Sequence, residues 1–201
     1  MHHRKIVQGG GSGMASRFRV LVVIAGIAVL GLLAWAERRP VRAGAETPAP
    51  VRAAVAVLQP VGGSGVSGTI RFVQQDGVLE VTGTVTGLTP GPHGFHIHEY
   101  GDLTDTREGL SAGGHYNPTG RPHGAPGEAT RHVGDLGNIV ADAQGVARIN
   151  VRDRVIRLDG PYSIVGRAAV VHAQADRFTQ PVGDAGGRVA FGVVGIAAVD
   201  K

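Results

Sequence analysis

Cysteine is absent from all 201 residues. The chain therefore forms no disulfide and cannot be attached to lipid through a cysteine, although extracytoplasmic proteins often rely on one or the other. Aromatic residues make up only 4% of the sequence. No basic stripe interleaved with aromatics occurs, which removes the main support for nucleic-acid binding. Internal repeats and a nucleotide-binding glycine loop are lacking too. Residues 9–13 have the composition of a flexible linker, and the glycines of 183–187 precede a strand pattern instead of a helix, so neither cradles a phosphate.

The excess of positive charge is local. Of 20 Lys and Arg and 16 Asp and Glu, seven bases and one acid fall in residues 1–45, so that segment carries +6 and the remainder −2. Long apolar runs are missing as well, with one exception in the same segment. Arg17-Phe18-Arg19 precedes an uninterrupted apolar run over 20–36, followed by Glu37-Arg38-Arg39-Pro40 and a Pro/Ala-rich stretch to Pro50. This pattern predicts a secretory signal with small-residue cleavage sites at Ala34-Trp35-Ala36 and Ala43-Gly44-Ala45. The run is at the short end for a membrane span, so an uncleaved single-span anchor is the alternative, and the only route to membrane association. Met14 is a natural start for such a signal. The expected organisation is a leader and linker over 1–45 and one domain over 46–201, long enough to bury a core. The expected location is outside the cytoplasm, either periplasmic or at the cell envelope or beyond.

Within the domain, glycine is abundant and apolar residues alternate with polar ones, as in Val78-Leu79-Glu80-Val81-Thr82-Gly83-Thr84-Val85. That alternation predicts a half-buried strand. Similar runs occupy 53–58, 68–73, 91–98, 138–142, 146–151, 166–172 and 188–199, punctuated by Gln75-Asp76-Gly77 and Ala143-Gln144-Gly145. Short strands with regular turns predict an all-β antiparallel sandwich or barrel.

Seven of the nine histidines lie between His93 and His172. On a strand, His96 and His98 leave the same face and can approach one ion. Alone, the pair says only that a transition metal is feasible, since imidazole suits copper and zinc alike. Residues 99–134 then form a long stretch rich in Gly, Pro, Asp and Ser without periodicity, which is uncommon in a compact domain unless it is functional. That stretch carries His115, His123 and His132, and Asp135 follows, so three imidazoles and a carboxylate are available for a four-coordinate zinc site. His172 reads as a strand residue that returns to His96 and His98 in a folded sheet.

Gly94-Phe95-His96-Ile97-His98-Glu99-Tyr100-Gly101-Asp102, Ser111-Ala112-Gly113-Gly114-His115-Tyr116-Asn117-Pro118 and Arg131-His132-Val133-Gly134-Asp135-Leu136-Gly137-Asn138 resemble the copper/zinc superoxide dismutases nearly residue for residue. The resemblance spans most of 53–199, and the leader suggests the exported bacterial type. It implies an eight-stranded Greek-key β-barrel or sandwich with a long metal-binding loop, and dismutation of superoxide to dioxygen and hydrogen peroxide by a redox-cycling copper beside a structural zinc. It further implies that His96, His98, His115 and His172 bind copper, and that His115, His123, His132 and Asp135 bind zinc. His115 is thus shared, and doubles as a proton source. Asp176 matches a carboxylate that hydrogen-bonds one ligand of each metal, and Arg188 an arginine that holds the substrate anion beside copper. His93 matches a histidine that supports loops without binding metal, and Tyr116, Tyr162 and Trp35 read as packing residues. The family leaves a homodimer open.

Two departures from the family pattern stand out. Relatives pin the metal-bearing loop to the last strand with a disulfide, whereas Phe191 stands at the strand cysteine's position and the loop reads Arg107-Glu108-Gly109-Leu110-Ser111. Packing of Phe191 against Leu110 is the expected replacement. Asp184 stands where asparagine is common, and the short segment 178–183 replaces a longer charged loop. The alternative reading of the same motifs is a copper- or zinc-binding storage or delivery module without fast turnover.

Overall fold

The computed structural model describes residues 49–199. The leader readings, including the apolar run, both cleavage sites, Met14 and Trp35, lie outside the described residues. Strands form over β1 (Ala53–Pro60), β2 (Ser67–Gln75), β3 (Val78–Thr86), β4 (Gly91–His98), β5 (Asp135–Ala141), β6 (Ala147–Asp153), β7 (Ala168–His172), β8 (Arg188–Val193) and the two-residue β9 (Gly195–Ile196). They pair antiparallel in the order β2-β3-β6-β5-β4-β7-β8-β1-β9, and β1 also pairs with β2, which closes the sheet into a barrel. β4 is separated from β3 by β6 and β5, the long crossover of a Greek key. The eight-stranded all-β expectation holds, with β9 continuing β8 past Val194. No α-helix occurs among the described residues; Leu110–Ala112 and Gly160–Tyr162 are single 3-10 turns.

The alternation in β3 does what its sequence dictates. Leu79, Val81 and Val85 enter the barrel while Thr82 and Thr84 face out, and Phe72, Phe95, Ile70 and Ile97 complete a core shielded from water. The hairpin joining β2 and β3 turns through Asp76 at φ 48° and Gly77 at φ 75°, the two positive angles of a two-residue loop whose twist matches that of its strands.

β4 is different, because it is buried on both sides. Phe95 and Ile97 pack into the barrel, whereas His96 and His98 lie under the long loop and are equally inaccessible. The loop is tied down by its backbone. Ile97 N donates to Gly134 O, Tyr116 N to Ile97 O, Glu99 N to Gly114 O and Tyr100 N to Ala112 O, each at 2.8 to 2.9 Å.

β5 begins at Asp135, three residues before the 138–142 run read from the sequence. Pairing with β4 steps from Gly94↔Asn138 to His96↔Asp135, so two residues of β4 span three of β5. Gly137, at φ 77°, absorbs the extra residue as a bulge. The consequence is positional: Asp135 is brought opposite His96.

Candidate metal centre

Three elements deliver the histidines and a fourth the carboxylate. β4 supplies His96 and His98, the end of β7 supplies His172, and the long loop supplies His115, His123 and His132 before Asp135 opens β5. His115 is held against His98 by an isolated antiparallel bridge. The donor atoms gather in two groups, His96, His98, His115, His172 and His115, His123, His132, Asp135, each within 4.8 Å of one another. His115 belongs to both. A third group, His96, His123 and Asp176, joins them from outside. Every metal ligand anticipated from the sequence, together with Asp176, is therefore in one neighbourhood, with His96 and Asp135 fully shielded from solvent.

Hydrogen bonding decides which ring nitrogens are free. Nδ1 of His98 donates to Gly113 O at 2.9 Å and Nδ1 of His172 donates to Gly186 O at 3.1 Å. Their Nε2 atoms, left as bare lone pairs, face each other at 3.2 Å. His96 donates from Nε2 to Asp176 Oδ2 at 2.8 Å, and its buried Nδ1 has no partner. Two lone pairs pointed together and a third unspent are unfavourable in a dry site unless a cation lies between them.

Burial keeps the rings of His98, His115 and His172 neutral. It pushes the His98 pKa well down, with His172 as the next cause. His172 falls to about 3, through burial and then the neighbouring His96. His115 falls to about 4 because burial outweighs the pull of Asp135. A neutral imidazole is the form that binds a metal ion.

The second group has the complementary charge. Burial alone would raise the Asp135 carboxyl, but the imidazoles of His115, His123 and His132 crowded against it outweigh that and hold the group well below the usual carboxylate range. Its Oδ1 lies 2.9 Å from His115 Nδ1 and 3.1 Å from His132 Nδ1, and its Oδ2 accepts from the backbone of Gly124 and His132. His123 donates from Nε2 to Asp176 at 2.9 Å. Its Nδ1 sits 2.9 Å from Asp135 Oδ2 without the alignment of a hydrogen bond. Burial lowers the His123 pKa, but Asp135 and Asp176 together raise it, so a proton or another cation is drawn to this point. Three nitrogens and an ionised oxygen fit zinc, and four imidazoles fit copper.

Asp176 is itself held. Burial opposes its ionisation, yet His96 and His123 lower its pKa to about 2. Asn138 clamps its backbone from both sides, donating to Asp176 O at 2.9 Å and accepting from Asp176 N at 2.7 Å. Gln180 clamps His123 in the same way, accepting from its N–H at 3.1 Å and donating to its carbonyl at 2.7 Å. Neither role was read from the sequence. Asn138 at least closes a recognisable motif, whereas Gln180 lies in a segment that carries no signal. His93 stays outside both groups; its two nitrogens lie 2.8 Å from His172 O and from Thr89 O, which ties β4 to β7 and to the preceding turn.

An open cleft of about 610 Å³ reaches His98, His115 and His172, with Arg107, Asp184 and Arg188 in its walls. Arg188 spends one nitrogen on Gly109 O and another on Gly113 O. Burial lowers its pKa and Asp105 raises it, and a guanidinium remains charged regardless.

The expected contact between Phe191 and Leu110 is not formed. Leu110 is 60% exposed, while Phe191 is fully buried with Val61, Ala112, Ala168 and Val170. Its ring lies beneath Gly109, where an added Cβ would come within 3.2 Å of it. Residue 109 turns through φ 72°, which sends the Leu110 side chain outward and leaves glycine, with no side chain of its own, over the ring.

A model of the family described as copper/zinc superoxide dismutase (SODC) matches residues 66–194. The extracellular superoxide dismutase [Cu-Zn] of Onchocerca volvulus is 49% identical over 160 residues, covering 74% of this chain and 78% of that protein. The protein of the same name from Brugia pahangi is 48% identical over 155 residues, covering 72% of this chain and 76% of its own length.

Proposed function

The chain belongs to the copper/zinc superoxide dismutase family, and on that premise we propose that it is an exported enzyme that dismutes superoxide to dioxygen and hydrogen peroxide. His96, His98, His115 and His172 are its copper ligands; His115, His123, His132 and Asp135 are its zinc ligands. When bound, copper supplies a one-electron redox couple and zinc a fixed positive charge that closes the loop site. The observation that carries the reading is the pair of donor groups sharing His115, which with His98 and His172 lines a cleft that also contains Arg188.

The residues divide the remaining work. Arg188 draws an anion into the cleft and hydrogen-bonds it there, since its two carbonyl partners fix the guanidinium without neutralising it. Two superoxide anions are consumed per cycle, one oxidised to dioxygen and one reduced to peroxide, with two protons taken up. Solvent supplies protons through the open cleft, and His115, whose Nδ1 faces Asp135, would hold one at Nε2 when zinc takes the place of the Nδ1 proton. Asp176 fixes the orientation of His96 and His123 together, which couples the geometry of the two groups.

The basic leader and the extracellular relatives support export, with cleavage of the leader and release into the periplasm, the cell envelope or the medium. Association into a homodimer is supported by the exposed apolar side chains Val57, Val193 and Ile196 on the neighbouring strands β1, β8 and β9. The test of the activity is elemental analysis combined with a superoxide-consumption assay on one sample. Copper and zinc with rapid turnover is the expected result; copper bound without turnover would replace the enzyme by a storage or delivery module.

A further inference from the structure

Five arginines gather away from the metal-lined cleft, where the loop around 119–131 meets the turn after β6. Arg121, Arg131, Arg154 and Arg157 line a depression of about 250 Å³, with Tyr162 and Glu128 among its other walls. Arg131 and Arg154 continue into an adjoining depression of about 420 Å³, which Arg152 also lines. Two of the five are neutralised. Arg131 is buried and paired with Asp153, and Arg152 reaches Glu80 at 3.2 Å. The other three are not. Arg121 and Arg157 each donate to a backbone carbonyl, of Ala129 at 2.6 Å and Ile156 at 2.9 Å, which orients a guanidinium but leaves its charge intact. Arg154 makes no hydrogen bond or ion pair among the described residues. Glu128 is the one carboxylate facing them that is not paired with an arginine, and its Oε2 accepts from Ala125 N.

The site is thus a concentration of positive charge on a domain that is otherwise mildly acidic. A second observation comes from its floor. Arg131 is only 5% exposed, lines both depressions, and keeps an Nε hydrogen with no acceptor. Buried donors are nearly always satisfied, so this unspent one adds an unmet demand for an acceptor to the uncompensated charge of the three other arginines lining the depression.

We propose that this cleft binds the phosphate or sulfate ester group of an anionic ligand through Arg121, Arg154 and Arg157. Tetrahedral oxyanions present several acceptor oxygens that match the planar fork of a guanidinium, and they hold their charge over the whole physiological range. The depression is open along one side into its neighbour, which accommodates the carrier of the ester beyond the oxyanion itself. This site lies outside the groups that gather around His115 and does not depend on the dismutase reading.

The test titrates the purified, metal-replete chain with inorganic phosphate and, separately, with dextran sulfate, using neutral dextran as the blank. Side-chain Nε–H resonances of Arg121, Arg154 and Arg157 report locally, so the basic leader shared by all variants does not confuse the result. Saturable shifts at these three positions are expected in the parent, with an apparent Kd, read at Arg121, raised about tenfold or more in Arg154→Gln/Arg157→Gln and less in Arg154→Lys/Arg157→Lys. Shifts with inorganic phosphate identify a free-ion site, and shifts with dextran sulfate alone identify a group read on a polymer. Copper, zinc and dismutase activity stay at parental levels. The proposal is overturned if neither probe moves these resonances at millimolar concentration, or if the Gln pair binds as the parent does.

Discussion

Nε2 of His98 and Nε2 of His172 face each other across 3.2 Å, each ring having given its only proton to a backbone carbonyl. Nothing among the described residues relieves that contact, so a bound cation contributes directly to the stability of the folded state. Chelation should therefore lower the melting temperature substantially, following the linkage RT ln(1 + [L]/Kd). A phosphine reductant that leaves the metals in place should change nothing, because there is no disulfide to break. Calorimetry of metal-replete, chelated and phosphine-treated samples checks both statements, and equal melting of the first two would refute the first.

Asp135 and Asp176 should differ in which metal they protect. Asp135 touches only the His115, His123 and His132 side, so Asp135→Ala should lose zinc and loosen 99–134 while copper is retained. Asp176 supports His96 and His123 together, so Asp176→Ala should weaken both metals. Metal-to-protein ratios of the two purified variants decide it, and identical losses would contradict the division.

Replacing Arg188 should separate charge from metal. Arg188→Glu should depress turnover strongly with copper still bound, and Arg188→Lys should depress it less, since an ammonium keeps the charge but not the two-carbonyl fork. Added salt should slow the parent more than the Glu variant. A copper-replete Arg188→Glu with parental rate would remove this residue from the reaction.

Phe191 is fully buried beneath Gly109, whose carbonyl in turn holds Arg188. Phe191→Ala should cost about 3–5 kcal/mol, as a buried phenyl ring leaves a cavity. The 105–113 part of the loop should exchange its amide hydrogens faster, and zinc retention should fall. Denaturant unfolding with hydrogen exchange measures both; parental stability would show that the ring supports nothing.

The metal-free protein should be sensitive to mild acid. His98, His115 and His172 all have folded pKa values below the ordinary 6.5, with His115 at about 4 and His172 at about 3. Between those values and 6.5 the unfolded chain binds more protons, so their contribution is complete above pH 6.5 and is lost as pH falls. His123, whose pKa is raised, acts in the opposite sense as a single group. Asp135 and Asp176, both depressed, add a further loss once pH drops below about 4. The urea midpoint of chelated protein should accordingly decline from pH 7.5 to pH 4.5, and a flat or rising midpoint would be the contrary result.

Much of this was legible in the chain because it is encoded locally. Alternation in β3 and the Asp76-Gly77 turn follow from side-chain period and backbone sterics, which neighbouring residues alone decide. The histidines were identifiable for a related reason, since motifs such as His96-Ile97-His98 keep their spacing on any strand. What joins them was not legible. The bulge at Gly137 shifts β5 by one residue and brings Asp135 opposite His96, a register set by pairing with a strand some forty residues away. Asn138 and Gln180 act through backbone groups of Asp176 and His123, and hydrogen bonds of that range leave no periodic trace. Leu110 illustrates the limit: its apolar side chain suggests a packing partner for Phe191, but the left-handed turn at Gly109 points it into solvent. The arginine cleft has the same origin. Arg121 and Arg154 are ordinary surface residues in sequence, and only the closing of the barrel and the laying of the loop across it brings their charges together.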